Sequence, residues 1–185
     1  LTAAQIDSQL SGQMNLFEGG QGKLIELPRK VGPFEHALML HERDDPAASE
    51  CYYKAIQAGD YVADAYCNLG ILAFESGALP KAADCFTLSL KDDPRHFESH
   101  FNLGNLYLDA GDLRLARLHY EIAVEIEPSF SNLHFNLGLV YLQDNDIDLA
   151  IDAFRRCLEL TDEGEDKTQV ERLLHRIEQL ANRRR

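Results

Sequence analysis

The sequence predicts an all-α fold in which antiparallel helix pairs stack in a row, an α-solenoid rather than a closed globule. Three observations predict it: a motif that recurs at a fixed period, helical spacing of apolar residues, and a turn-forming residue inside each period. The motif is Asn-Leu-Gly, at residues 68–70, 102–104 and 136–138, so the period is 34 residues. A repeat of this length is one helix pair that buries its apolar face against neighbouring copies.

Three regular repeats supply the predicted helices. We expect them at about 62–76 and 79–91, 96–110 and 113–125, and 130–144 and 147–160. The helices of a pair are separated by Gly77, Gly111 or Asn145, residues that tolerate the left-handed backbone with which many helices end.

The chain outside these repeats is less regular. Residues 34–61 have the second-helix pattern without Asn-Leu-Gly, so we interpret them as a degenerate opening repeat. The segment 165–185 is predicted to hold a helix at about 166–182 and a basic tail. Its apolar residues form one stripe, which suits a cap over the open face of the last repeat. That stripe comprises Val170, Leu173, Leu174, Ile177 and Leu180.

Three glycines lie inside predicted helices, where glycine costs about 1 kcal/mol relative to alanine. They are Gly70, Gly104 and Gly138, one in each regular repeat. We expect the close approach of a bulky neighbour to offset this cost. The alternatives are an aromatic residue of the preceding repeat (Tyr52, Phe86 or Tyr120, respectively) and the partner helix of the same pair.

Residues 1–33 are predicted to be a flexible segment or linker, because glycine and proline are frequent there. Their apolar residues would dock on the helices or on another subunit. No basic leader precedes an apolar stretch, so we expect no secretion signal. Residue 1 is Leu rather than Met, so the chain is either processed or a piece of a longer protein.

Composition excludes several functions. The formal net charge is −13, from 31 acidic and 18 basic residues, which disfavours nucleic-acid binding by this segment. No apolar run approaches the roughly 20 residues of a membrane span. The cysteines at 51, 67, 85 and 157 form no Cys-x-x-Cys pair. We therefore expect buried free thiols and a cytoplasmic protein.

The pattern of residues 102–128 resembles the tetratricopeptide repeat (TPR). It contains Asn102-Leu103-Gly104, Gly111-Asp112, Ala116, Tyr120 and Pro128. Repeats 63–96 and 97–130 carry nearly every signature position, whereas 131–164 departs from it at Asn145 and Asp162. The resemblance covers about 34–164. It implies a right-handed superhelix whose concave groove, lined by first helices, binds peptide segments of other proteins.

The resemblance also implies which residues line that groove, since the family uses fixed repeat positions. In the three regular repeats these are eighteen positions, and Cys67 is one of them. They also include our candidate peptide-binding residues: Asp64, Asn68, Ile71, Glu75, Glu98, Phe101, Asn102, Asn105, Asp109, Phe135, Asn136 and Leu139. They include four acids and no Lys or Arg, so a clamp for a carboxylate is not expected. An apolar or basic segment resting on Phe101, Phe135, Ile71 and Leu139 fits better.

Asn68, Asn102 and Asn136 form a ladder one period apart. A side-chain amide has two donated hydrogens and an acceptor oxygen, so the ladder could bond an extended peptide backbone. It resembles the asparagine ladder of the TPR superhelix in O-linked GlcNAc transferases. The alternative is that these amides bond within the solenoid.

Catalytic and metal-binding patterns are missing from the sequence. His96 and His100 have i, i+4 spacing, but no third ligand is evident, and packing is the simpler role for His100 and His134. No phosphate loop, nucleophile elbow or zinc motif occurs. We expect no cofactor, no metal and no enzyme activity.

We therefore predict a non-catalytic protein–protein interaction scaffold with a protein or peptide partner, and self-association as a further interaction. The alternative is the C-terminal dimerisation or sensor portion of a bacterial transcriptional regulator whose DNA-binding domain lies outside this chain. Residues 11–17, ahead of the repeats, resemble the joint of regulators that place a MerR-type helix-turn-helix before TPRs. An enzyme ranks last.

Overall fold

The computed structural model describes residues 31–162 and 164–184, and all regular secondary structure in these ranges is helical. The helices are α1 Pro33–His41, α2 Ala48–Ala58, α3 Val62–Glu75, α4 Leu79–Asp92, α5 Phe97–Asp109, α6 Leu113–Ile126, α7 Ser131–Gln143, α8 Ile147–Leu160 and α9 Glu165–Arg184. The predicted all-α helical-repeat solenoid is confirmed. The segment 11–17 and the other residues of the predicted linker up to residue 30 lie outside the described residues.

The limits of α3 to α8 lie within one residue of the predicted ones. Each pair turns at the predicted residue, with φ of +76° at Gly77, +77° at Gly111 and +63° at Asn145. This left-handed conformation stops the first helix and redirects the chain into the second. Asn145 is one of the few non-glycine residues that adopt it readily.

The described residues divide into two compact units, the first ending at Ala65 and the second beginning at Tyr66. In the first unit, α1 and α2 pack around Tyr52, which is fully buried. Its hydroxyl lies 2.9 Å from His41 Nδ1. The Phe34 ring stacks on the Tyr61 ring, and the backbone N–H of Phe34 donates to Asp60 Oδ2 at 3.0 Å. These contacts hold the start of α1 against the end of α2.

In the second unit, each helix pair is centred on one buried aromatic side chain: Phe86, Tyr120 or Phe154. Each ring lies against the glycine of its own pair. A Cβ added to Gly70, Gly104 or Gly138 would meet that ring at 2.5, 2.4 or 2.8 Å, respectively. The partner helix therefore needs the room, and the alternative of an aromatic residue from the preceding repeat is wrong.

Helix α9 covers the last repeat as predicted. Its Val170, Leu174 and Ile177 pack on α8, against a core that includes Phe154 and Cys157. Leu180, predicted to belong to the same stripe, is 52% exposed, so the buried stripe ends at Ile177. None of the helices in the described ranges combines the length and apolar character needed to cross a membrane.

Candidate functional site

The candidate site is a row of side chains on the first helices α3, α5 and α7. Within the second unit, Glu75, Glu98 and Asp109 are exposed. The other candidates in this unit are half-buried: Asn68, Ile71, Phe101, Asn102, Asn105, Phe135, Asn136 and Leu139. Asp64 is half-buried too but belongs to the first unit. Cys67, also placed in the groove by its repeat position, is only 2% exposed, so that prediction is wrong.

Hydrogen bonds join neighbouring first helices along this row. Asn102 Nδ2 lies 3.8 Å from Cys67 Sγ and donates to it. Asn136 Nδ2 donates to Asn105 Oδ1 at 2.9 Å, and the Tyr120 hydroxyl donates to the same oxygen at 2.7 Å. These bonds favour the alternative in which the asparagines bond within the solenoid. Because the Asn105 oxygen accepts two bonds, its amide offers mainly N–H donors to a ligand.

The aromatic candidates are anchored in the core by one face. Phe101 packs against Phe130 and Tyr120, with ring centroids 5.3 and 6.1 Å apart. Phe135 packs edge-on against Phe154 at 5.6 Å. Because both rings are half-buried, each has a fixed orientation and still presents apolar surface. A rigid, partly exposed ring is well suited to bind an apolar group.

Charge is distributed unequally between the first and second helices. The complete helices α3, α5 and α7 contain Asp64, Glu75, Glu98 and Asp109 and no Lys or Arg. The second helices α4, α6 and α8 carry charges of both signs. Their cations are Lys81, Lys91, Arg114, Arg117, Arg155 and Arg156, and their acids are Asp84, Asp92, Glu121, Glu125, Asp148, Asp152 and Glu159. A surface with charges of one sign attracts ligands of the opposite sign. The first helices therefore favour cationic groups.

Depressions open on the second unit beside α7. One, of about 380 Å³, lies between α7, the end of α8 and α9. Its lining includes Asn132, Phe135, Cys157, Gln169, Val170 and Leu173. Another, of about 480 Å³, lies between α6, α7 and α8. Its lining includes Glu121, Glu125, Tyr141, Leu149, Asp152 and Arg156.

His100 and His134 have the packing role predicted for them. Both are buried, and Nε2 of each lies near the carbonyl oxygen of the proline six residues earlier in the chain. The distance is 3.2 Å to Pro94 O and 2.8 Å to Pro128 O. A carbonyl only accepts, so each Nε2 carries the proton.

His119 on α6 has a role that sequence reasoning missed. Its Nδ1 lies 3.1 Å from His100 Nδ1, and because His100 is protonated on Nε2, His119 donates this bond. Its ring also stacks on Tyr107 at 5.6 Å. Burial, and secondarily the neighbouring His100, lower the pKa of His119 to about 4. Burial also lowers the pKa of His100, so both rings are neutral at pH 7.

A metal role finds no support in the described ranges. No group of three or more His, Cys, Asp or Glu side chains there could hold an ion. The cysteines Cys51, Cys67, Cys85 and Cys157 are all buried free thiols, as predicted. Burial raises the pKa of Cys85 and Cys157, which disfavours the reactive thiolate.

Comparison with known proteins agrees with this architecture. Two solved structures, described as crystal structures of MamA and of MamA protein, are each 18% identical to this chain, with TM-scores of 0.66 and 0.67. They cover 79% and 82% of this chain, and 86% and 83% of their own lengths are covered.

The first TPR of Spaghetti (RPAP3), bound to the HSP90 peptide SRMEEVD, is 22% identical with a TM-score of 0.59. It covers 65% of this chain, and 93% of its own length is covered. None of the curated proteins matches. At these identities the structures show a shared fold. Residues 101–165 match the Tetratricopeptide repeat family model, so this part of the chain is similar to that family.

Proposed function

We propose that this chain is a non-catalytic protein-interaction scaffold that binds an extended peptide segment along α3, α5 and α7. The observation that carries the proposal is the composition of this row. Half-buried aromatic and amide side chains alternate along it with the exposed carboxylates Glu75, Glu98 and Asp109, and these helices contain no cation. Such a row suits a peptide that combines apolar residues with Lys or Arg.

The RPAP3 structure provides a useful contrast in charge. The peptide bound there, SRMEEVD, contains three acidic residues. An acidic peptide needs cations to replace the water around its carboxylates. The first helices here contain only acids among their charged residues, so we propose a partner segment of the opposite charge.

Selection of short random peptides by phage display tests the proposal. We expect the peptides retained by the protein to be enriched in Lys or Arg together with apolar residues. Their affinity, measured by fluorescence anisotropy with labelled synthetic copies, should fall as salt is added, because exposed charges are screened.

The double variant Glu75→Lys, Asp109→Lys locates the binding surface. These residues are exposed, one period apart, and in or at the last turns of α3 and α5, where a cation suits the helix dipole. The variant should therefore fold. Reversing two exposed charges, each worth about 0.5–1 kcal/mol, should weaken peptide binding about tenfold.

The matched control is Glu125→Lys, Asp152→Lys, which reverses two exposed acids at the depression between α6, α7 and α8. We expect it to bind peptide as the wild type does. Loss of binding in this control with retention in the first-helix variant would move the site to the second helices. Failure to select any peptide would refute the proposed function.

The regulator alternative depends on residues 11–17, which lie outside the described residues. No feature of the described ranges favours it over the scaffold.

A further inference from the structure

We propose that the 380 Å³ cavity between α7, α8 and α9 is an anchor pocket for one uncharged apolar side chain of the bound peptide, aromatic or branched aliphatic. This inference rests on the proposed function. It adds a defined subsite, with a chemical requirement of its own, at the α9 end of the row.

Two aromatic rings of the second repeat have no counterpart in the third, and one of the two equivalent positions lines the cavity. In the second repeat, Phe97, Phe101 and Phe130 form a cluster with ring centroids 5.2–6.2 Å apart. One period later these positions are Ser131, Phe135 and Gly164. Phe135 is retained, and Ser131, which lines the cavity, carries only a hydroxymethyl group where the second repeat has the Phe97 ring.

The walls of the cavity also favour an apolar occupant. Phe135, Val170, Leu173 and the Cys157 thiol provide apolar surface, and the other described lining residues are polar but uncharged: Ser131, Asn132, Thr161 and Gln169. Burial raises the pKa of the Cys157 thiol, so it stays neutral. A Lys or Glu side chain here would lose hydration with no charged partner among the described lining residues, which is costly. A volume of about 380 Å³ lies at the lower end of the range for ligand pockets.

The position of the cavity connects it to the candidate site. Asn132 and Phe135, which line it, occupy the repeat positions that Glu98 and Phe101 occupy in the second repeat. Gln169, on the opposite wall, lies one further period after Phe135. The cavity therefore continues the row beyond the acidic positions. A peptide with its apolar residue here would place its basic residues toward α5 and α3.

The second repeat suggests the variant that tests this inference. Ser131→Phe restores the residue found at the equivalent position, Phe97, and should fill the cavity with the chain's own ring. The matched control is Ser129→Phe, which adds the same ring at an exposed position that does not line the cavity. Far-UV circular dichroism and urea titration should show both variants folded, with Ser131→Phe at least as stable as the control.

The probes are labelled peptides selected on the wild type by phage display. We expect Ser131→Phe to weaken their binding about tenfold or more, since one buried anchor can dominate an interface, and Ser129→Phe to leave it unchanged. Replacing the shared apolar residue of a peptide with Lys should weaken binding to the wild type and have little effect with Ser131→Phe.

The outcomes separate the inference from the proposed function. Equal binding to the wild type and both variants, together with loss in Glu75→Lys, Asp109→Lys, would overturn the anchor pocket and leave the peptide-binding row intact. Equal loss in both phenylalanine variants would also overturn the pocket. If no peptide is selected, the proposed function fails and this inference fails with it.

Discussion

Substitution of Gly104 by alanine gives a direct test of how each helix pair is packed. The added Cβ would lie 2.4 Å from Cε1 and 2.5 Å from Cδ1 of Tyr120. Carbon atoms in contact are normally about 3.5–4.0 Å apart, so one side must move by about 1 Å. The Tyr120 ring is fully buried, and its hydroxyl is bonded to Asn105 at 2.7 Å. The ring therefore has little freedom to move.

Two opposing effects set the magnitude. Alanine is favoured over glycine inside a helix by about 1 kcal/mol. Overpacking a buried site costs about 1–3 kcal/mol, and the large overlap with an anchored ring places Gly104→Ala near the upper limit. We expect a net loss of about 2 kcal/mol in the free energy of unfolding.

Urea unfolding followed by far-UV circular dichroism measures this loss. Gly164→Ala is the control, because its Cβ would meet none of the described atoms within 4 Å. Since Gly164 O accepts the first hydrogen bond of α9, where alanine is less favourable than glycine, we expect its stability within about 1 kcal/mol of wild type. In a Tyr120→Ala background the overlap is gone, so Gly104→Ala should stabilise the protein by about 1 kcal/mol. If Gly104→Ala stabilises the otherwise unchanged protein, the packing argument is refuted.

Two further predictions concern buried polar pairs. Ser99 on α5 donates to Ser89 Oγ on α4 at 2.7 Å, and both residues are fully buried. Ser99→Ala should therefore lower the free energy of unfolding, measured by urea titration, by about 1–3 kcal/mol. The double variant Ser89→Ala, Ser99→Ala should recover most of this loss, because no buried hydroxyl is then left without a partner. A Ser99→Ala protein as stable as wild type would contradict this prediction. The second prediction is a pH effect of His119, whose pKa is lowered from 6.5 to about 4 in the fold. Between these two pKa values His119 is protonated in the unfolded chain but neutral in the folded chain. The free energy of unfolding is therefore highest above pH 6.5 and decreases as the pH falls towards 4. The loss should be about 2 kcal/mol, discounted for the ring's partial exposure. Stability measured from pH 7 to about 5, above most carboxylate titrations, should fall less steeply in His119→Asn, and equal slopes would refute the assignment.

The helix pairs were predictable because their contacts repeat. Gly70, Gly104 and Gly138 keep a constant spacing to Phe86, Tyr120 and Phe154, so three copies report the same contact. Sequence spacing could not decide which aromatic ring needs the space. Gly104, for example, lies 18 residues after Phe86 and 16 residues before Tyr120, and only the crossing of the helices selects Tyr120.

The candidate site was predictable in outline but not in detail. Repeat position identified Asn105 and Asn136, but their hydrogen bond depends on the lateral offset between α5 and α7, which the sequence does not encode locally. The same offset buries Cys67 beneath Asn102. The contact of His119 with His100 had no signal at all, since the equivalent residues one period away are Cys85 and Ala153.

Departures from the repeat therefore carry information that the repeat itself does not. Positions shared by all copies serve the contacts that recur in every repeat. Asn102 and Asn136, for example, donate hydrogen bonds to the preceding first helix. We expect a partner to be distinguished by what differs between copies. The last residue is an acid in α3 and α5 but Gln143 in α7, and two rings of the second repeat are replaced by Ser131 and Gly164 in the third. The first difference makes the α3 and α5 end of the row acidic, and the second lies at the cavity beside α9. The two ends of the row therefore differ in chemistry. A symmetric basic peptide could not satisfy both ends, so a bound segment should have a single orientation.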